Sequence, residues 1–158
     1  MMAFEGPEKR KQLLSSMLVL AALVGGAVIA TVGITSYFRS QDPVNQCIGD
    51  PNSQPFQLSI PVTVTEDGSP ALVKKGIGIV NGCTRPVHTL EENVIHVAYR
   101  KPYPFTLGHF LFYWLKDDLL KYDTKVYVNG TLHTDGDIRD IVLKDGDSIR
   151  IELTTKNK

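Results

Sequence analysis

Two cysteines and four histidines are the residues of this 158-residue chain with the most distinctive chemistry. Cys47 and Cys83 have no CxxC spacing, which makes them a poor match to a zinc site. In an oxidising compartment such thiols pair, and closing a loop of about 36 residues stabilises a fold on chain-entropy grounds. We expect a Cys47–Cys83 disulfide, with metal ligation by the two sulfurs as the alternative.

Two loop motifs could carry further chemistry. Asn129, Gly130 and Thr131 form an N-glycosylation sequon, which would place a sugar on an exposed turn. The alternative is that Asn-Gly serves only as a hairpin turn. Asp135 and Asp137 are interpreted as turn residues, because the rest of a calcium-loop pattern is missing around them.

Catalysis has no support in the residue pattern. The sequence shows no Ser-His-Asp order, no glycine-rich phosphate loop and no convincing carboxylate pair. We therefore expect a protein that is not an enzyme and needs no cofactor.

A membrane anchor is indicated by residues 13–38, which contain no charged side chain and follow a basic cluster at residues 9–11. A span needs about 20 apolar residues, and basic residues stay on the cytoplasmic side. The sequence predicts a cytoplasmic tail at 1–12, a single transmembrane helix at 13–38, and everything that follows outside the cell membrane.

The alternative to a retained anchor is a cleaved signal peptide, with residues 28–30 as the cleavage site. The apolar run continues beyond that point to Tyr37 and Phe38, where an interfacial aromatic anchor is expected. Retention is therefore favoured, and both interpretations export the rest of the chain.

Small residues recur every four positions in this segment, at Ala22, Gly26 and Ala30. Such a stripe lets a second helix approach closely, so we expect a membrane-protein partner to bind there. The alternative is that the stripe reflects only the high frequency of small residues in single spans.

The exported part has the size of one domain. Four of the 17 basic residues and two of the 17 acidic residues precede position 40, which leaves 13 basic and 15 acidic residues. Nucleic-acid binding, which needs a concentrated basic face, is not expected. Turn-forming residues make 39–56 a predicted linker, and residues 57–158 form the predicted extracytoplasmic domain.

Alternating apolar and polar residues predict several strands, with Pro61 marking a sheet edge or a bulge. One helix is predicted from Thr106 as N-cap, because apolar residues recur at helical spacing. These strands lie at 58–65, 71–80, 94–99 and 148–153, and the helical stripe consists of Leu107, Phe110, Leu111 and Trp114. The fold class is therefore α+β, a mostly β sheet around a single helix.

The stripe is expected to pack against the sheet, with an aromatic ligand platform as the alternative. Phe112 and Tyr113 lie off the stripe. Spare aromatic surface of this kind predicts contact with a partner protein or the membrane.

Residues 126–130 and 143–153 carry a V-N-G turn and an L-K-D-G-D turn before a closing strand. This ending resembles the last strands of ubiquitin-like β-grasp domains, especially the small sulfur carriers, and implies a β-grasp-like fold. The sulfur carriers act through a terminal Gly-Gly, whereas residues 154–158 are Thr-Thr-Lys-Asn-Lys. The resemblance therefore implies the fold and not the chemistry.

A broader resemblance covers residues 76–153, through G-I-G-I at 76–79, Cys83, His88-Thr89, V-I-H-V at 94–97 and F-T-L-G at 105–108 with Phe110 and Trp114. These pieces are similar to an uncharacterised family of exported, membrane-anchored domains that is common in ammonia-oxidising archaea. The family pattern H-T-H-D, with histidines upstream, implies a metal site.

In this chain the family's second motif histidine is replaced by Leu90, and residues 56–60 contain no histidine. His88 and His96 remain and could face each other across a hairpin as copper or zinc ligands. His109 and His133 are possible additional ligands. The alternative is that all four histidines have surface or hydrogen-bonding roles.

The expected function is a single-pass, membrane-anchored extracytoplasmic binding or accessory subunit of a membrane protein complex, without catalytic activity. Its partners would be the lipid bilayer and a membrane protein, and not nucleic acid. The alternative is an exported copper-binding or metal-delivery domain that uses His88 and His96.

Overall fold

The computed structural model describes residues 42–156, and the chain from Pro43 onward forms one compact unit. The predicted tail at 1–12 and the predicted transmembrane helix at 13–38, with Ala22, Gly26 and Ala30, lie outside the described residues. Between residues 42 and 156, no helix combines the length and apolar character needed to cross a membrane.

The described unit contains nine strands and one α-helix. Seven of the strands form one sheet in the order β5-β6-β1-β9-β7-β8, with β2 also paired to β1, while β3 and β4 form a separate small sheet. The strands are β1 (Phe56–Glu66), β2 (Ser69–Ala71), β3 (Ile79–Val80), β4 (Cys83–Thr84), β5 (Val87–His88), β6 (Val94–Tyr99), β7 (Tyr122–Val128), β8 (Thr131–Leu132) and β9 (Ile149–Thr155), and the helix is α1 (Leu107–Trp114). The predicted α+β class, mostly strands with one helix, is confirmed for these residues.

Strand β1 lies at the centre of the sheet and changes partner halfway along. Its first half pairs with β6 in antiparallel fashion as far as Pro61, and its second half pairs with β9 in parallel fashion from Val62. Pro61 therefore sits where one ladder ends and the other begins, a position at which its missing N–H costs no ladder hydrogen bond. The sequence prediction was a sheet edge or a bulge at Pro61; β1 is a central strand, and Pro61 lies at its change of partner.

Helix α1 buries the predicted stripe against the sheet. Leu107, Phe110 and Leu111 are almost completely buried, and Trp114 is half-buried with its ring 5.5 Å from that of Phe110. At the N-terminus the Nδ1 atom of His109 accepts a hydrogen bond from the N–H of Thr106 at 2.9 Å. The predicted N-cap position is therefore confirmed, and a histidine side chain contributes to the cap.

The segment before β1, interpreted from the sequence as a linker, carries two core side chains. Val44 and Ile48 are buried, and the N–H of Ile48 donates to the carbonyl of Thr84 at 2.9 Å. Two short 3-10 turns, Pro43–Asn45 and Pro51–Ser53, shape this segment. It packs on the domain as part of the same compact unit.

The prediction of a second strand at 71–80 was wrong over most of its length, where the chain forms a loop. Only its first residue, in β2, and its last two, in β3, are extended. Gly76 and Gly78 have positive φ angles of 90° and 76°, a conformation that breaks a strand. Val73 is buried within this loop, so the apolar spacing reflected burial and not sheet pairing.

Candidate functional site

One side of α1 borders an apolar groove of about 290 Å³. Two side chains of this groove are largely in solvent, since Phe112 is 64% exposed and Leu120 is 79% exposed. Adjacent exposed apolar side chains mark surfaces that contact another protein or a membrane. We call this surface the α1 groove, and it is lined by Gly108, Leu111, Phe112, Lys116, Leu119, Leu120 and Arg139.

The groove forms because the chain reverses directly after α1. Lys116 adopts a left-handed conformation with φ of 48°, and the 3-10 turn Lys116–Lys121 follows. This turn directs Leu119 toward the core, where it is partly buried, and leaves Leu120 outside. The helix and the turn together make a concave apolar surface.

The opposite wall of the groove depends on Gly108. A Cβ atom at this position would lie 2.6 Å from the carbonyl oxygen of Arg139, which is closer than atoms can approach without a shift. Glycine therefore lets α1 pack against the 3-10 turn Ile138–Asp140. Asp137 caps that turn through the N–H of Arg139 at 2.9 Å, and the Arg139 guanidinium lowers the pKa of Asp137 to about 2.

The two aromatic residues predicted to bind a partner differ in their surroundings. Phe112 lines the α1 groove. Tyr113 is half-buried, and its hydroxyl donates a hydrogen bond to the carbonyl of Val44 at 3.2 Å, so it ties α1 to the segment before β1. Leu119 and Leu120 were missed by the sequence analysis, and their only signal is an apolar pair inside the polar run K-D-D-L-L-K.

A second group of side chains lies on the outer part of the sheet, where His88 and His96 are register partners on β5 and β6. The expectation that they face each other is met, with ring centroids 6.0 Å apart and ring planes inclined by 26°. His88 is completely buried. Burial, which disfavours the charged ring, is the main cause that lowers the pKa of His88, and the charge of His96 adds to it.

The hydrogen bonds of His88 fix which ring nitrogen carries the proton. Its Nδ1 atom lies 2.9 Å from the carbonyl oxygen of Arg85. Since a carbonyl only accepts, Nδ1 is the donor and Nε2 of the neutral ring has the lone pair. Nε2 is buried without a hydrogen-bond partner, and an unsatisfied buried acceptor costs about 1–3 kcal/mol.

His96 is half-buried beside it. Its Nδ1 atom is 3.2 Å from the hydroxyl of Ser59, and its Nε2 atom is 3.4 Å from Oε1 of Glu91. The geometry at Nε2 is not that of a hydrogen bond, and this atom is also buried without a partner. Neither Nε2 atom makes a hydrogen bond, and that of His96 has the Glu91 carboxylate as a charged neighbour.

The two histidines line one small cavity of about 20 Å³, which is room for a single water molecule or ion. Pro51 and Asn52, from the 3-10 turn Pro51–Ser53, also line it. The amide of Gln57 holds this turn in place by donating to the carbonyl of Asn52 at 3.0 Å. The turn before β1 is therefore part of the histidine site.

The predicted disulfide between Cys47 and Cys83 is confirmed, with the two Cα atoms 5.2 Å apart. It joins the segment before β1 to β4 and so fixes the chain just before the turn at the histidine cavity. Ile48, next to Cys47, is buried in the core. The two sulfurs are bonded to each other and serve a structural role here.

The other histidines do not extend the pair. His109 uses Nδ1 to cap α1, and His133 follows β8, at the opposite end of the sheet from β5. Within residues 42–156, no group of three or more histidine, cysteine, aspartate or glutamate side chains is arranged to hold a metal ion. Any metal at His88 and His96 would therefore have two protein nitrogens as its ligands.

Asn129, the predicted glycosylation residue, lies with Gly130 in the two-residue turn between β7 and β8. Its amide donates to Asp147 at 2.8 Å, and its Oδ1 atom accepts the N–H of Ser148 at 2.9 Å. Its φ angle of 52° suits an Asn-Gly hairpin turn. The side chain thus has a structural role that accounts for the Asn-Gly pair, and glycosylation stays a prediction.

Comparisons with family models, with curated proteins and with solved structures give no match to this chain.

Proposed function

We propose that this chain is a single-pass membrane protein whose extracytoplasmic, β-grasp-like domain acts as a non-catalytic binding or accessory subunit of a membrane protein complex. The observation that carries the proposal is the α1 groove, where Phe112 and Leu120 are left in solvent. The uncharged segment 13–38 would hold the domain at the membrane surface.

The topology supports the β-grasp-like part of the proposal. The hairpin of β1 and β2 comes first, α1 follows, and β9 returns to lie parallel to β1 at the centre of the sheet. The extra strands β5 and β6 pair with the first half of β1. They extend this arrangement on the side where the histidine pair lies.

The partner proposed for the α1 groove is an apolar segment of a membrane protein that carries an acidic side chain. Leucine and phenylalanine side chains form most of the lining. Of its two charged residues, Arg139 is paired with the Asp137 carboxylate, and Lys116 supplies the cation that would meet an acidic side chain. A groove of this volume accommodates one or two large side chains of a partner segment. Aromatic anchors buried at the centre of an interface carry most of its affinity.

Site-specific photocrosslinking in native membranes tests this role. A benzoylphenylalanine at position 112 of the full chain should crosslink to a membrane protein, and the same probe at Leu72, which is 50% exposed outside the groove, should not. Leu120→Ala should reduce crosslinking from position 112 by about tenfold, as expected for a residue at the centre of an interface.

Two results would overturn the proposal. Equal crosslinking from positions 112 and 72 would show that the groove has no selective partner. A monodisperse, uncrosslinked monomer from gently solubilised membranes would show that the chain is not a subunit of a stable complex. Protease accessibility of the domain in sealed vesicles separately reports whether it lies outside the membrane.

A further inference from the structure

The α1 groove has, on one surface, both shapes that a symmetric contact needs. Its concave part has a volume of about 290 Å³, and Phe112 and Leu120 at its border are 64% and 79% exposed. Two copies of a surface related by a two-fold axis contact each other through the same residues. A side chain that protrudes beside a groove can therefore enter the groove of a second copy while the second copy does the same in return.

The number of protruding side chains matches the size of the groove. Among its leucine and phenylalanine residues, Leu111 is buried and Leu119 is partly buried, which leaves Phe112 and Leu120 in solvent. A groove of this volume accommodates one or two large side chains. Each copy thus offers two apolar side chains and a groove that can receive two.

The charges beside the groove are also self-complementary. Lys116 is exposed and lines the groove, whereas the other lining cation, Arg139, is paired with Asp137. Asp118, on the same turn as Lys116, is exposed and paired with Lys121. A carboxylate accepts several hydrogen bonds, so Asp118 of one copy can keep Lys121 and also accept Lys116 of the other copy.

We propose that the segment bound in the α1 groove belongs to a second copy of this chain, with Phe112 and Leu120 of each copy entering the groove of the other about a two-fold axis. This inference rests on the proposed function, because it names the membrane protein that the groove binds. A second copy meets the description of that partner, since it carries exposed apolar side chains next to an acidic one.

The uncharged segment 13–38 favours pairing of two copies independently of the groove. Its small residues Ala22, Gly26 and Ala30 predict close approach of a second helix, and a second copy has the same stripe. When two contacts join the same pair of chains, the first raises the effective concentration for the second. A groove contact of modest affinity is then sufficient for a dimer in the membrane.

Photocrosslinking between two differently tagged forms of the full chain tests the identity of the partner. Both forms are made in the same membranes, and one of them carries benzoylphenylalanine at position 112. The crosslinked product should carry both tags, and peptide mapping should place the new bond at groove residues of the other form. The same probe at Leu72, which is 50% exposed outside the groove, should give no doubly tagged product.

A charge exchange tests the pairing of Lys116 with Asp118 and leaves the apolar side chains unchanged. Lys116→Glu or Asp118→Lys alone brings like charges together at both symmetric contacts, so each should weaken dimerisation by at least about tenfold. The two substitutions together restore opposite charges and should return the dissociation constant to within about threefold of the unaltered value. Energy transfer between labelled full chains, at a series of chain-to-detergent ratios, measures dimerisation.

Lys75→Glu is the matched control for the charge exchange, because Lys75 is an exposed lysine in the loop at 72–78, outside the groove. It should leave dimerisation unchanged. A double variant that dimerises as weakly as the single variants would contradict the pairing of Lys116 with Asp118, and with it the two-fold arrangement.

The crosslinking outcomes separate this inference from the proposed accessory role. Crosslinks from position 112 to a different membrane protein would contradict the second copy and leave the accessory role in place. Equal crosslinking from positions 112 and 72, or none from either, would contradict both.

Discussion

Gly108 brings the first turn of α1 against the backbone at Arg139, and Gly108→Ala tests how closely that contact is fitted. The added Cβ would meet the Arg139 carbonyl oxygen at 2.6 Å. We expect the free energy of unfolding to fall by about 1–3 kcal/mol, although alanine has the better helix propensity. Urea denaturation of the full chain in detergent measures the change.

Gly49→Ala is the matched control, because a Cβ at position 49 would meet nothing within 4 Å. Its stability should stay within about 0.5 kcal/mol of the unaltered protein. Equal effects of the two substitutions would contradict the close packing of α1 on the Ile138–Asp140 turn.

Asp67 links the hairpin of β1 and β2 to the end of β9. Its carboxylate accepts hydrogen bonds from the backbone N–H and the hydroxyl of Thr155, each at 2.8 Å. The backbone bond is the first cause that lowers the pKa of Asp67, and the hydroxyl bond is the second. These bonds stabilise the ionised form in the folded state.

The sign of the pH dependence follows from this lowered pKa. A carboxylate with a depressed folded pKa contributes stability above its unfolded value, about 3.9, and loses it as the pH falls through the folded value. The stability difference between the unaltered protein and Asp67→Asn should be constant above about pH 5 and shrink below about pH 4. Urea denaturation across this range measures it, and Thr155→Val should give a weaker pH dependence.

At the scale of single residues, the sequence predicted which residues come together better than it predicted their burial and hydrogen bonding. The pairing of Cys47 with Cys83 and the facing of His88 and His96 were both anticipated. The complete burial of His88 and the lack of a hydrogen bond at its Nε2 atom could not be anticipated, because they depend on the 51–53 turn and the Arg85 carbonyl. The contact of Asp67 with Thr155, 88 positions away, also requires knowledge of the sheet order.

Among the elements, the disulfide fixes the segment before β1, and its removal tests how much that segment contributes. The bridge closes a loop of 36 residues, for which chain entropy predicts a loss of about 4 kcal/mol in the Cys47→Ser, Cys83→Ser double variant. Denaturant unfolding of the full chain gives the value. Reduced but unaltered protein should match the double variant, and a loss below about 1 kcal/mol would show that Val44 and Ile48 hold the segment without the bridge.

Helix α1 was predictable and the structure after it was not. Its apolar residues recur at helical spacing, so burial and pattern agree. The 3-10 turn that places Leu120 beside Phe112 depends on the left-handed conformation of Lys116, which lysine rarely adopts and no pattern signals. The strand predicted over residues 72–78 was wrong for the opposite reason: a pattern was present without the structure. Buried Val73 and half-buried Ile77 are spaced like the inward-facing residues of a strand, although the segment is a loop.

For the whole molecule, β1 is the strand on which both halves of the sheet depend. Ile60 is completely buried and lies next to the change of partner at Pro61. Ile60→Ala should lower the free energy of unfolding by about 2–5 kcal/mol, measured by denaturant unfolding. Leu72→Ala, at a side chain that is 50% exposed, should change it by less than about 0.5 kcal/mol.

A single cooperative transition should accompany the loss at Ile60, since one strand joins the β6 side of the sheet to the β9 side. Two separate transitions would show instead that the two sides unfold independently. The residue pattern alone does not give the sheet order behind this expectation, because the pairing of β1 with β9 joins the first and last strands of the domain.

The parallel contact of β1 with β9 also determines how the domain bears mechanical tension. Five register pairs, from Val62 with Ile149 to Glu66 with Leu153, join the two strands. Because both strands run in the same direction, a pull that separates the start of β1 from the end of β9 stretches all of their hydrogen bonds together, in shear, and cannot open them one by one like a zipper.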